Sequence, residues 1–185
     1  KRSRQVSRTS LYNQMPNLKR GAFVGGVSYS DGQFDDTKLL TEIVRAASDS
    51  GAVCLNYARV NGLVKDEADI VHGVVFEDTE TSASYTVKGR VVINATGPFC
   101  DEIRKLDKPE VKPLVAASQG VHLVVSPDYF PAKSAFIVPK TSDGRVLFVI
   151  PWHGHVLVGT TDTAIKDISK EPVAFPDEMK FLLKT

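Results

Sequence analysis

Val91-Val92-Ile93-Asn94-Ala95-Thr96-Gly97-Pro98, residues 91–98, is where the architecture of this chain is decided. Three β-branched residues in a row read as a buried strand. The small residues that follow let a ligand or another backbone come close, and Gly97-Pro98 ends the run. A plain strand running into a tight turn before a helix would carry the same residues, so both readings stand on this stretch alone. On its N-terminal side the pattern has period two. Residues 52–57, 59–65, 71–77, 84–87 and 90–94 read as short strands separated by turn residues, with Asp78-Thr79-Glu80-Thr81-Ser82 as an exposed hairpin tip. Further back the period is helical. Leu39, Leu40, Ile43, Val44, Ala46 and Ala47 repeat along one face, Asp35 or Asp36 can serve as N-cap, and Gly51 sits where a C′ glycine belongs. A strand over 22–29 and a turn at Ser30-Asp31-Gly32 precede this helix.

Beyond Pro98 a short amphipathic helix is expected over 100–106. Apolar runs at 121–125, 135–138, 146–150 and 155–159 then read as four strands, with Ser142-Asp143-Gly144 as a tight hairpin turn. Pro176-Asp177-Glu178 opens a last helix, with Pro at the first position and acids in the first turn. The sum is an α+β fold with mostly antiparallel sheets. A break near 107–113 divides it into 1–107 and 108–185.

Composition narrows the function classes. The chain has 185 residues, 42% hydrophobic and 24% charged, as ordinary globular domains do. Lys and Arg number 23 against 22 acids, so there is no electrostatic case for nucleic acid. Two cysteines, Cys54 and Cys100, make neither a disulfide framework nor a zinc site. The longest uncharged stretch, 146–161, contains Pro151, His153 and His155 and is not a membrane span. The first 20 residues hold six basic side chains and no acid. That composition resembles a mitochondrial transit peptide, but a solvated helix face over 4–15 accounts for it better.

No G-x-G-x-x-G and no P-loop occurs; Gly21, Gly25 and Gly26 have the wrong spacing. Asn94-Ala95-Thr96 matches a glycosylation acceptor but closes an apolar strand, where burial is expected. His153-Gly154-His155 has no carboxylate or thiolate at ligand spacing, so no metal is expected. His122 follows Ser118-Gln119-Gly120-Val121 and enters Leu123-Val124-Val125. An imidazole there is either a satisfied core group or a general base in a dry pocket. Gly159-Thr160-Thr161-Asp162 ends a strand with two hydroxyls and a carboxylate, as a capped turn or as hydroxyls facing a ligand.

Six segments, in order, resemble one family. They are Asp31-Gly32-Gln33 with Asp36, Ile93-Asn94-Ala95-Thr96-Gly97-Pro98-Phe99, Gln119-Gly120-Val121-His122, Ser142-Asp143-Gly144-Arg145-Val146, Pro151-Trp152, and Gly159-Thr160-Thr161-Asp162-Thr163. The pattern is similar to the FAD-dependent glycerol-3-phosphate dehydrogenases, and closer to their mitochondrial branch than to the bacterial one. The resemblance implies part of a D-amino-acid-oxidase-like flavoprotein. Residues 1–107 would be a partial FAD-binding domain with its β meander, and 108–185 a partial β-rich substrate domain.

By the same resemblance the cofactor is FAD, and the substrates are sn-glycerol 3-phosphate and ubiquinone. The location would be mitochondrial, with the parent protein bound peripherally to the inner membrane. His122 matches the active-site histidine. Thr161 and Gly120 match substrate-pocket positions. Arg59, Val60, Ala95, Thr96, Gly97, Pro98 and Thr160 match cofactor-binding positions. The N-terminal phosphate loop and the C-terminal Gly-Ile-Arg-Pro segment of the family are not found. Arg145, on a turn, is a poor substitute for a phosphate-binding arginine. An internal fragment, inactive alone, not retaining FAD and prone to self-association, is therefore expected. Two alternatives stay open: a related FAD-dependent oxidase acting on glycerol phosphate or amines, and a stand-alone non-catalytic β-rich binding domain.

Overall fold

The computed structural model describes residues 2–141 and 144–185. Along the chain run β1 (Arg4–Ser7), α1 (Arg8–Gln14), β2 (Gly25–Ser28), α2 (Asp36–Asp49), β3 (Ala58–Lys65), β4 (Val71–Asp78), β5 (Ser84–Lys88) and α3 (Cys100–Asp107). There follow β6 (Ser118–Gln119), β7 (His122–Val125), β8 (Phe136–Val138), β9 (Leu147–Trp152), β10 (His155–Gly159), β11 (Thr163–Ala164) and α4 (Pro176–Lys184). All the described strand pairs are antiparallel. The chain forms two compact units, Gln33–Ala116 and Lys1–Gly32 joined with Ala117–Thr185.

In Gln33–Ala116 the caps explain why α2 forms where its repeat predicts. The Asp35 carboxylate accepts from the Lys38 N–H at 3.0 Å, and Gly51 leaves the helix at φ +91°, where a side chain would be strained. β3, β4 and β5 form a meander sheet, with a register shift between Val60 and Gly62. The acidic tip between β4 and β5 holds itself: the Asp78 carboxylate accepts from the Glu80 N–H and the Thr81 hydroxyl.

The strands expected over 52–57 and 90–94 are not formed among the described residues. β-Branched side chains favour an extended backbone, but a strand also needs a ladder with a partner backbone, and neither segment forms one; 52–57 has only the single bond to the meander, from the Thr79 N–H to the Tyr57 carbonyl. Their side chains stand in solvent, with Val53 86% and Ile93 82% exposed. The apolar stripe of α2 (Leu39, Leu40, Ile43, Val44) is exposed as well.

Asp101 ties α3 to the segment behind it. Its carboxylate accepts from the Leu114 and Val115 N–H groups and pairs with Arg104. The bond from Val115 N–H, then that from Arg104, then the Leu114 N–H hold its carboxyl below the ordinary carboxylate value, against the opposing effect of burial. A depressed folded-state value stabilises the fold above the unfolded-state value and is lost as pH falls through the folded one. Asp101→Asn should therefore lower the melting temperature at neutral pH and flatten the acid limb of a stability–pH curve. Melts of both proteins between pH 3 and 7 check this; an unchanged acid limb would count against it.

In the other unit, β7, β10, β9 and β8 form a four-stranded sheet in that order. His153 (φ +44°) and Gly154 (φ +75°) make a two-residue turn between β9 and β10, whose paired positive φ values match the right-handed strand twist. Ser142 and Asp143, two of the three residues of the hairpin turn expected there, lie outside the described residues. The flanking strands β8 and β9 do pair.

The core is Leu11, Met15, Phe130, Ala132 and Val156. This corrects the solvated helix expected over 4–15. Residues 4–7 are a strand, and α1, with the Met15 that caps it, turns Leu11, Tyr12 and Met15 inward at helical spacing while Arg4 and Arg8 stay outside. The same packing explains why the compact units do not follow a single break at 107/108. The first helix supplies core to the sheet built from residues after 117.

Candidate functional site

β7 and β10 pair so that His122 stands opposite Gly159. A Cβ built on Gly159 would lie 2.5 Å from His122 Cδ2 and 2.9 Å from Cγ, so the imidazole lies directly over the bare glycine. His122 is exposed, which removes the core alternative and equally the dry pocket within this chain. The ring sits on an edge strand, steered by a glycine and open to solvent.

The segment before His122 is laced to the end of β10. A Cβ on Gly120 would meet Thr160 Oγ1 and the Thr161 carbonyl oxygen, each at 2.5 Å. Only glycine permits that approach. The Val121 N–H donates to Thr161 Oγ1 at 3.0 Å, and the Thr160 hydroxyl reaches the Val121 and Thr161 carbonyls at 3.3 and 3.0 Å. Behind them lies Glu178 at the start of α4, only 4% exposed. Its carboxylate accepts from the Thr161 hydroxyl at 3.2 Å, the Gln119 amide at 3.0 Å and the Phe175 N–H at 2.8 Å. Burial pushes the Glu178 carboxyl up. The hydrogen bonds from Thr163, Phe175 N–H, Gln119 and Thr161 outweigh it and hold the group below its ordinary value, and hence ionised.

The structure brings together Gly120, His122, Thr160 and Thr161, four of the expected site residues, and adds Gln119 and Glu178, which were not among them. Glu178 was visible only as an acid in a helix first turn. Arg145 is engaged locally: its guanidinium lies 4.7 Å from the Phe181 ring centroid and donates to the Asp162 carbonyl.

The remaining expected residues lie in Gln33–Ala116. Arg59 is exposed on β3 opposite Glu77, and Val60 faces Phe76 across the ladder. Ala95, Thr96, Gly97 and Pro98 are all exposed. Gly97 adopts φ +55° and opens a 3₁₀ turn (Gly97–Phe99) leading into α3, and nothing lies within 4 Å of where its Cβ would be. Asn94 is exposed rather than buried as expected, because 90–94 is not a paired strand. Its amide nitrogen donates to the Cys100 carbonyl at 2.9 Å, and its oxygen accepts from the Thr96 hydroxyl at 2.8 Å.

Two open clefts can be named among the described residues. One of about 340 Å³ is lined by Phe130, Trp152 and His155 among others, and one of about 410 Å³ by Gln119, Lys166 and Phe175 among others. Neither is lined by His122, Gly120 or Thr160. Among the described residues no group of three or more His, Cys, Asp or Glu is placed to hold a metal, and no helix is long and apolar enough to cross a membrane.

Residues 2–185 match the model of the FAD dependent oxidoreductase family. A probable mitochondrial glycerol-3-phosphate dehydrogenase of Dictyostelium discoideum is 39% identical over 179 residues, 93% of this chain and 28% of that protein. The mitochondrial glycerol-3-phosphate dehydrogenase of Rattus norvegicus is 35% identical over 188 residues, 99% of this chain and 26% of that protein. The chain thus spans about a quarter of the length of these relatives. The structure of the Bacillus halodurans glycerol-3-phosphate dehydrogenase complexed with FAD superposes with a TM-score of 0.88 at 32% identity, covering 97% of this chain and 36% of that one.

Proposed function

Since the chain belongs to the FAD-dependent oxidoreductase family, we propose that it forms part of an enzyme that oxidises sn-glycerol 3-phosphate to dihydroxyacetone phosphate, with His122 as the base. The observation that carries this reading is the imidazole of His122, solvent-facing and seated on Gly159, beside the hydroxyl-bearing end of β10. Oxidising a secondary alcohol removes a hydride from carbon and a proton from oxygen. A base at the hydroxyl lets both leave without a charged intermediate. His122 takes that proton. The flavin, when bound, supplies the hydride-accepting chemistry.

The residues of this chain fit such a group. Ala95, Thr96 and Gly97 are small and exposed, Gly97 has a left-handed backbone, and the space over it is open, so a large planar ligand can approach the main chain. Arg59, Val60, Pro98 and Thr160 complete the proposed cofactor contacts, with Gly120 on the substrate side.

Ubiquinone is the proposed electron acceptor, and a mitochondrial location, peripheral at the inner membrane, the proposed setting; the relatives named above are called mitochondrial. The test uses the full-length flavin-loaded protein. Anaerobic addition of glycerol 3-phosphate should bleach the flavin, and a quinone analogue should restore it. Reoxidation by oxygen with stoichiometric peroxide would make the protein an oxidase instead, and no bleaching would remove the substrate assignment.

The isolated chain should bind FAD weakly and should self-associate, because the exposed stripe of α2 and the unpaired 52–57 and 90–94 segments offer apolar surface and free backbone edges. Sedimentation velocity should show oligomers at tens of micromolar (about that scale, where weak apolar contacts populate); a single monomer boundary would refute this.

A further inference from the structure

We propose that Glu178 is a positioning residue for His122. Its carboxylate clamps Gln119, Thr161 and the start of α4 together, and so fixes the Gly120–Val121 segment that delivers the imidazole. The proposal rests on the reading of His122 as the base.

The geometry has a direction built into it. A carboxylate only accepts hydrogen bonds, so the Thr161 hydroxyl must spend its proton on Glu178 Oε1. The Thr161 oxygen then turns a lone pair to the Val121 N–H, which donates to it at 3.0 Å. Glu178 therefore sets the polarity of the bond that holds the residue next to His122. Gln119 is fixed in the same way, its amide nitrogen shared between Glu178 Oε2 and the Val173 carbonyl at 3.1 Å.

Thr161, 2% exposed, is on this account a strut rather than the substrate contact its resemblance suggests. A helix cap alone would explain the bond from the Phe175 N–H. It would not explain why Gln119 and Thr161, 59 and 17 residues away, converge on the same carboxylate. An amide at 178 would set an N–H₂ donor against donors already aimed at that position, which is worse than a plain loss of one bond.

The experiment compares the full-length, flavin-loaded protein with its Glu178→Gln, Thr161→Val and doubly substituted variants. Glu178→Gln should lower kcat about 10- to 100-fold with KM changed less than about threefold, because a displaced base costs rate rather than substrate binding. Thr161→Val keeps the Phe175 and Gln119 bonds to Glu178 and removes the one hydroxyl that links Glu178 to Val121. It should give a similar loss, and the double variant should be no worse than either single. Amide exchange in the peptide spanning Val121 should quicken about tenfold or more in both single variants.

Wild-type kcat in Thr161→Val, or unchanged exchange at Val121, would reduce Glu178 to a helix cap. A raised KM with kcat intact would return Thr161 to the substrate side. If Glu178→Gln does not fold, Thr161→Val decides alone. If the wild-type protein fails to oxidise glycerol 3-phosphate, the functional reading falls, while the exchange data still decide the clamp.

Discussion

Replacing His122 with glutamine should lower kcat by about 10²–10⁴-fold, the usual worth of a positioned general base, with the fold and flavin content retained. Glutamine is near in size and keeps hydrogen-bonding capacity, but it cannot take a proton. The stability cost should be small because His122 is exposed on the edge strand of its sheet. Surface substitutions of this kind usually fall within about 0.5 kcal/mol. Single-turnover bleaching of the flavin by glycerol 3-phosphate isolates the chemical step, and thermal melts check the fold. A variant within tenfold of wild type in bleaching rate would mean that His122 is not the base. A variant with intact rate but weakened saturation would make it a binding group instead.

Local signals explain what was legible in the sequence. The apolar repeat and the Asp35 and Gly51 caps specify α2 without help from the rest of the chain. The β3–β4–β5 meander and the β9–β10 hairpin announce themselves through alternation and turn residues. Residues 52–57 and 90–94 failed for the complementary reason. Their composition favours extension, but strand formation is decided by a partner that local pattern does not name. The basic N-terminal run hid Leu11, Tyr12 and Met15, which form the buried face of the same short segment.

The site divides in the same way. Gly120, His122, Thr160 and Thr161 lie in two short motifs and could be picked out together through their resemblance to a family pattern. Residue type alone left His122 open between core and base. Glu178 could not be found, because its meaning comes from Gln119 and Thr161, brought to it by β6, the end of β10 and the start of α4. A carboxylate three residues into a helix is ordinary as sequence. It becomes a candidate for function only when the groups bonded to it are known.

Gly159→Ala should be strongly damaging, because the added methyl lands on His122 itself. The new Cβ would sit 2.5 Å from His122 Cδ2 and 2.9 Å from the Val121 carbonyl oxygen. Carbon atoms in contact sit about 3.5–4.0 Å apart, so roughly 1 Å must be found. Two routes can supply it. The imidazole swings off its seat, or β7 draws away from β10. The first misplaces the base by a distance worth about 10²-fold in rate. The second adds overpacking strain of about 1–3 kcal/mol, visible as a lower melting temperature. Gly32→Ala is the matched control, since nothing lies within 4 Å of that position. It should behave as wild type in both measurements. If Gly159 acts only by seating His122, Gly159→Ala combined with His122→Gln should be no slower than His122→Gln alone, because the group being displaced is already gone. A further tenfold loss in the double variant would show that Gly159 serves the reaction by another route, such as room for the substrate. Wild-type rate in Gly159→Ala would show that the orientation of the imidazole over the glycine does not matter to the chemistry.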